Sequence, residues 1–395
     1  MTYVNSADRM INNQKTSNTV EKHPIRILHV VGGMDRGGVE TWLMHILRNI
    51  DRDRFHMDFL IHTDKPCSYD QEIRELGSQI IPCLNPSQPL TFATNFKRII
   101  HSHKPYDIIH SHIHHYSGYV LWLAYHAKIP VRIAHSHLDS SLIESKSSWS
   151  RQLYLNLMRG AINRYTTIGL GCSEVASRDL FGKDWKSDQR WQIFYCSIDL
   201  KPFQSQFQEI DPTSVRDELG IPKTAFVVGH VGQFRPQKNH PFLFKIFAEV
   251  LKQETHAYLL LVGDGALRSD IEQQAVSMGI SDRIVFLGSR SDIPHLMLGA
   301  MDVFLFPSFY EGLGLVLIEA QAAGLPCIFS DTVPQEAELV KPLMHRLSLS
   351  QPPSVWSEQT LAARKIGVME ALAIVSKSPF NIETNVRQLE ELYLG

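Results

Sequence analysis

Short aliphatic, β-branched runs alternate with segments of helical period almost from end to end of this 395-residue chain, and no other feature constrains the fold as much. Strand and helix in repeated alternation specify a parallel sheet covered by crossover helices. The first unit is the clearest. Ile25–Val31 reads as a buried strand and Gly32–Gly38 as a glycine loop; Val39, Trp42, Leu43, Ile46, Leu47 and Ile50 then recur at helical spacing on one face. That periodicity makes Trp42 core rather than a ligand platform. Further strands are predicted at Met57–Ile61, Gln79–Ile81, Asp107–His110, Val131–His135, Thr167–Gly171 and Gln192–Tyr195. The pattern stops at the polar interval Asp199–Pro222 and restarts, with strands predicted at Phe226–Val231, Tyr258–Val262, Arg283–Leu287, Val303–Phe306 and Pro326–Phe329. A chain this long exceeds one compact core. The prediction is α/β, with two Rossmann-like doubly wound domains, 24–200 and 201–395, facing each other across a cleft, and the last helix packing back on the first domain. Residues 1–23, polar and without an apolar core, are predicted to be a disordered tail.

Charge narrows the partners. The 39 Lys+Arg and 41 Asp+Glu give −2, without the basic excess of a nucleic-acid binder. The halves differ: 23 basic and 19 acidic groups up to Asp199 (+4), then 16 and 22 (−6). The five cysteines form no C-x-x-C pair, which is neither a disulfide framework nor a zinc site and fits a reducing, cytoplasmic compartment. Apolar runs such as Val120–Tyr125 fall far short of the roughly 20 residues of a membrane span, so none is predicted.

Ligands of doubly wound sheets sit beyond the carboxyl ends of the strands, so the loops there carry the candidate site. Gly32-Gly33-Met34-Asp35-Arg36-Gly37-Gly38 lets a ligand approach the backbone and a helix N-terminus, although its spacing is not the dinucleotide G-x-G-x-x-G and Glu40 occupies part of the helix-start field. The loop Gly232-Gln233-Phe234-Arg235-Pro236-Gln237-Lys238-Asn239 puts two long cations beside a glycine turn, suited to a diphosphate. In Phe306–Ala320, Glu311 lies in a Gly-rich loop and Glu319 about two turns inside an apolar helix. That spacing suits two contacts along one extended ligand, and a carboxylate among apolar neighbours needs a partner such as ligand hydroxyls. His110, His112 and His114 would share one face if their strand continued. No metal is predicted there, because no carboxylate or cysteine accompanies them in sequence.

Taken in order, the loop 32–38, Gly232 to Lys238-Asn239, Leu261-Val262-Gly263-Asp264-Gly265, and Phe306-Pro307-Ser308-x-x-Glu311-Gly312-x-Gly314 with Glu319 resemble the retaining nucleotide-sugar glycosyltransferases of family 4. The likeness spans roughly residues 25–340, and its most specific part is Glu-x7-Glu. It implies the GT-B fold and transfer of a sugar from a UDP- or GDP-sugar to a glycan or lipid-linked acceptor, in polysaccharide assembly, without metal or cofactor. It implies that Lys238 binds the pyrophosphate, that Glu319 accepts from ribose hydroxyls, and that Glu311 contacts the sugar with backbone N–H groups around Gly312, Leu313, Gly314 and Leu315. Gly37 and Gly38 would close over the phosphates, with Gly263 and the loop Gly288-Ser289-Arg290 near the nucleotide. A histidine touching the donor sugar would be His135 or His137.

This chain departs from the family at Gln233, where an arginine is usual, and Arg235 is the expected substitute. It also departs at Cys196-Ser197-Ile198-Asp199, where the family has Asn-Gly before a hydrophobe and Asp. Alternative functions on the same architecture are a nucleotide-sugar epimerase and a silent nucleotide-sugar-binding protein. The +4 first half suggests peripheral contact with anionic membrane through Arg48, Arg52, Arg54, Lys97, Arg98 and Lys104.

Overall fold

The computed structural model describes residues 23–395 except 104, 145 and 146. The tail predicted over 1–23 lies outside them but for His23, and Lys104 lies outside as well.

The first sheet contains β1 (Ile25–Val31), β2 (Phe55–Ile61), β3 (Ile80–Pro82), β4 (Ile108–Ser111), β5 (Val131–Ser136), β6 (Ile168–Gly171) and β7 (Trp191–Ile193), in the order β3-β2-β1-β4-β5-β6-β7. The second contains β8 (Phe226–Val231), β9 (Ala257–Val262), β10 (Ile284–Phe286), β11 (Val303–Phe306), β12 (Cys327–Ser330) and β13 (Met344–Leu347), in the order β10-β9-β8-β11-β12-β13. Every pairing in both is parallel. Order reverses beside β1 and beside β8, so each sheet opens a crevice at those two strand ends. The glycine loops predicted as ligand sites leave those same strands.

Alternation along β1 explains the layering: Ile27 and Val31 join the core beneath the helix Gly38–Asn49, whereas Leu28 and Val30 join Phe92, Phe96, Val120 and Leu121 on the opposite face. Trp42 is fully buried. This layering corrects the proposed cationic face. Arg48, Arg52 and Arg54 lie in or just after the helix on one side of the sheet, and Lys97 and Arg98 on the helix Pro89–Ser102 on the other. Arg48 is also held by Glu72, and Arg54 lies near Asp51 and Glu390.

Two elements differ from the sequence reading. The interval Asp199–Pro222 contains helices Lys201–Gln206 and Pro212–Glu218, tied to the second domain by the buried Arg216, whose guanidinium donates to the carbonyls of Lys223, Ala225 and Ala300 and to Asp302. β13 was not predicted, since an edge strand reading Met-His-Arg-Leu, partly buried throughout, has no apolar run to betray it.

The helix Ile382–Leu394 crosses back onto the first domain. Asn385 accepts from Trp42 Nε1 (2.8 Å) and Ser197 Oγ (2.9 Å) and donates to the Tyr195 carbonyl (2.8 Å).

Candidate donor site at the domain cleft

The floor of the site is glycine because side chains do not fit. A Cβ on Gly263 would overlap the Gly232 carbonyl, and one on Gly232 would come within 2.9 Å of Lys238 Cε. Gly263 also has φ +141°, a backbone region that side chains avoid, and its N–H donates to the Gly288 carbonyl at 2.8 Å. Gly232, Gly263 and Gly288 thus form one close-packed surface at the ends of β8, β9 and β10.

Beside this floor the loops after β8 and β11 are stitched together. Lys238 Nζ donates to Glu311 Oε1 at 2.7 Å, and Gln237 Nε2 donates to Glu311 Oε2 at 3.1 Å and to the Tyr310 carbonyl at 2.9 Å. Lys238 Nζ also lies 4.6 Å from the centre of the Phe306 ring. The two side chains predicted to hold phosphate and sugar therefore hold each other, and Gln237, which the sequence reading missed, completes the carboxylate's shell. Gly314, at φ +87°, turns the chain into the helix Leu315–Ala322, placing the N–H groups of that first turn at the cleft.

Glu319 is partly buried, and among the described residues no hydrogen-bond or ion-pair partner is found for its carboxyl. Burial alone pushes its carboxyl up to about 7. Arg290 is folded onto Asp292, with Nε at 2.8 Å from Oδ1, and so is not an independent cation. Arg235, the expected substitute for the family arginine, is exposed.

From the first domain, Gly37 and Gly38 reach the same cleft. A Cβ on Gly37 would meet the Glu40 carboxylate and would approach Gln233 Nε2 to 3.4 Å, and one on Gly38 would touch Leu315. Burial raises the Glu40 carboxyl to about 7, against the opposing pull of its own N–H and of Arg235. Gln233 Nε2 donates across the cleft to the Arg36 carbonyl at 3.1 Å. Ser173 Oγ donates to the Gly312 carbonyl, and Glu174 N–H to Glu336 Oε1 at 3.0 Å.

The histidines do not present themselves as the sequence suggested. Tyr393 O–H, His110, His135 and the Phe194 carbonyl form one chain, at 2.8, 3.2 and 3.3 Å. A carbonyl only accepts, so His135 donates from Nε2, His110 donates from Nε2 to His135 Nδ1, and Tyr393 donates to His110 Nδ1. A second chain links His29, His112, His137 and Cys196, at 3.0, 2.8 and 3.3 Å. Burial holds His135 down to about 3 and His137 far below its ordinary value. Each ring of the predicted pair has both nitrogens occupied, so neither nitrogen faces the cleft. His137 instead meets it through its backbone, where a Cβ on Gly312 would overlap the His137 carbonyl. His114 leaves the group because β4 ends at Ser111, and its Nε2 lies 3.1 Å from Asp179. The fold thus supplies the cysteine and the carboxylate that the sequence did not place beside these histidines.

Residues 36–201 match the family described as Glycosyltransferase Family 4, and residues 211–359 that described as Glycosyl transferases group 1. The chain is 36% identical over 376 residues to the putative glycosyltransferase EpsF of Bacillus subtilis, covering 93% of this chain and 96% of that one. It is 23% identical to the capsular polysaccharide biosynthesis glycosyltransferase CapH of Staphylococcus aureus, over 94% and 99% of the two chains. Among solved structures, Anabaena HepE in complex with UDP-glucose superposes with a TM-score of 0.75 at 21% identity, over 93% of this chain and 98% of that one. The lipopolysaccharide glycosyltransferase WaaG superposes with a TM-score of 0.65 at 17% identity, over 92% and 95%. The two parallel α/β domains have the GT-B fold, and the chain belongs to the family 4 glycosyltransferases.

Proposed function

We propose that the protein is a retaining hexosyltransferase that takes sugar from a UDP- or GDP-sugar and delivers it to a glycan or lipid-linked acceptor in polysaccharide assembly on the cytoplasmic side of a membrane. The observation that carries this reading is Glu319, a carboxyl raised to about 7 by burial, lacking a protein partner among the described residues, on the helix that follows the Lys238–Glu311 pair. A ribose diol supplies the hydrogen bonds it lacks. In this reading the diphosphate displaces Glu311 from Lys238 and frees Glu311 for sugar hydroxyls. The reaction asks for orientation and for stabilisation of the leaving phosphate, which Lys238 and the N–H groups at Gly314 and Leu315 provide. It uses no side-chain nucleophile, and the reading includes no resident metal or cofactor. The departing phosphate takes the acceptor proton.

Incubation with UDP- and GDP-sugars, with and without a lipid-extract acceptor, tests it. Consumption only with acceptor, giving a product of unchanged anomeric configuration, is expected. Free epimerised sugar without acceptor would establish the epimerase instead, and binding without any turnover would establish the silent binder.

The membrane contact belongs on the face of the helices Pro89–Ser102, Ser117–His126 and Trp149–Tyr165. Trp149, Leu153 and Leu157 recur there every fourth residue at 80%, 52% and 61% exposure, on a helix that carries no acidic residue of its own, although its Arg151 pairs with Glu144 and its Arg159 with Asp179. Anionic vesicles should float the protein at low salt, and replacing all three apolar residues by serine should abolish flotation.

A further inference from the structure

The phosphate site proposed around Lys238 has a second cation within reach that the sequence did not suggest. Arg36, in the first domain's glycine loop, touches the second domain at two points beside its glycine floor. Its backbone carbonyl accepts from Gln233 Nε2 at 3.1 Å, on the Gly232 side, and its Nη1 reaches the Ser289 carbonyl at 3.4 Å, on the Gly263–Gly288 side. Its Nε is buried without a hydrogen-bond partner, and among the described residues no carboxylate lies within ion-pair distance. A guanidinium at the cleft edge, its Cζ 6.0 Å from the Tyr69 ring, with one donor idle and another on a long bond, is a cation beside the glycine floor without a close counter-ion. Arg235, by contrast, is exposed, and Arg290 is neutralised by Asp292.

We propose that Arg36 is the second cation of the donor's phosphate site, roofing the diphosphate from the first domain while Lys238 meets it from the second, and that Gln233 is a positioning residue that sets Arg36 in place. The inference rests on the nucleotide-sugar reading and deepens it. Phosphate recognition in this chain then requires both domains.

The test separates charge from clasp. Arg36→Gln keeps an amide donor for the Ser289 carbonyl but removes the charge, whereas Arg36→Lys keeps a charge and loses the fork. Titration calorimetry with UDP, GDP and the nucleosides uridine and guanosine is the readout, on the full chain. For whichever base binds, Arg36→Gln should weaken the diphosphate at least about tenfold, Arg36→Lys should stay within about fivefold of the unaltered protein, and nucleoside affinity should change by less than about twofold. Gln233→Ala should weaken the diphosphate in the same direction, and less so when Arg36 is already Gln. Unchanged diphosphate affinity in Arg36→Gln, or equal losses for diphosphate and nucleoside, overturns the inference and leaves Arg36 a clasp only. An unaltered protein that binds no nucleoside diphosphate overturns the nucleotide-sugar reading and this inference together.

Discussion

The side chains at the cleft are held in conditions that do not favour the ligand-free fold, and Glu319 shows this most clearly. Its carboxyl rises from the ordinary 4.5 to about 7 because burial penalises the charged form. Folding therefore favours the protonated acid. The penalty is absent below about pH 4.5, grows as the pH rises to about 7, and is constant above that at about 3 kcal/mol. Glu319→Gln should stabilise the ligand-free protein at pH 8 by an amount of that order, and the gain should vanish near pH 4. The same substitution should weaken UDP or GDP binding about tenfold or more, because an amide is a poorer acceptor for two hydroxyls. Thermal denaturation with and without nucleotide, at both pH values, checks each half. A destabilised variant at pH 8 would mean that the carboxylate has a partner within the protein. Lys238 behaves differently. Its ion pair with Glu311 is almost enclosed, so Lys238→Ala strands a buried carboxylate and removes the cation proposed for the phosphate together. Turnover should fall by at least about a hundredfold, measured at saturating donor.

Among the elements, the C-terminal helix joins the two domains outside the cleft. Asn385 satisfies Trp42, Ser197 and the Tyr195 carbonyl in a region closed to water, so Asn385→Ala leaves three buried polar groups unpaired and should cost about 3 kcal/mol. Urea unfolding gives the cost directly, and limited proteolysis should release the last helix earlier than in the unaltered protein. Indifference to the substitution would show that the helix is held by apolar packing alone. Trp42 was legible as core, since helical spacing assigns a face. Its partner was not, because nothing local in Asn-Val-Arg-Gln identifies a contact with a residue 343 positions away. The grouping of the histidines was not legible for a related reason. A shared face for His110, His112 and His114 required β4 to run past its predicted end at His110, but the strand stops at Ser111 and His114 takes φ +53°, so the row divides between the buried chains and Asp179. Glu311 and Glu319 were legible because one loop and one short helix fix their separation. Gln237 and Arg36 were not, because each acquires its place from an element distant in the chain.

At the scale of the molecule, the cleft is a contact between two bodies, and its chemistry is complete only when they meet. Among the described residues, hydrogen bonds cross it from Gln233 to Arg36, from Arg36 to Ser289, from Ser173 to Gly312 and from Glu174 to Glu336. Gly312 is the point where closeness is tightest, because its α-carbon faces the His137 carbonyl with no room for a methyl group. The obstruction is across the domains, not within the loop, and the position carries no left-handed backbone requirement of the kind Gly314 has. Gly312→Ala should therefore fold, with stability within about 1 kcal/mol of the unaltered protein. It should still hold the nucleoside, which the proposed function assigns to the second domain, but should fail to bring the first domain fully onto it. The expected outcome is a loss of transfer of at least about a hundredfold, with nucleoside affinity nearly unchanged and diphosphate affinity reduced through the displaced Arg36. Small-angle scattering with nucleotide should give a larger radius of gyration than for the unaltered protein. Full activity in this variant would mean that catalysis proceeds with the domains farther apart than they stand here, and the placement of Arg36 over the site would then lose its purpose.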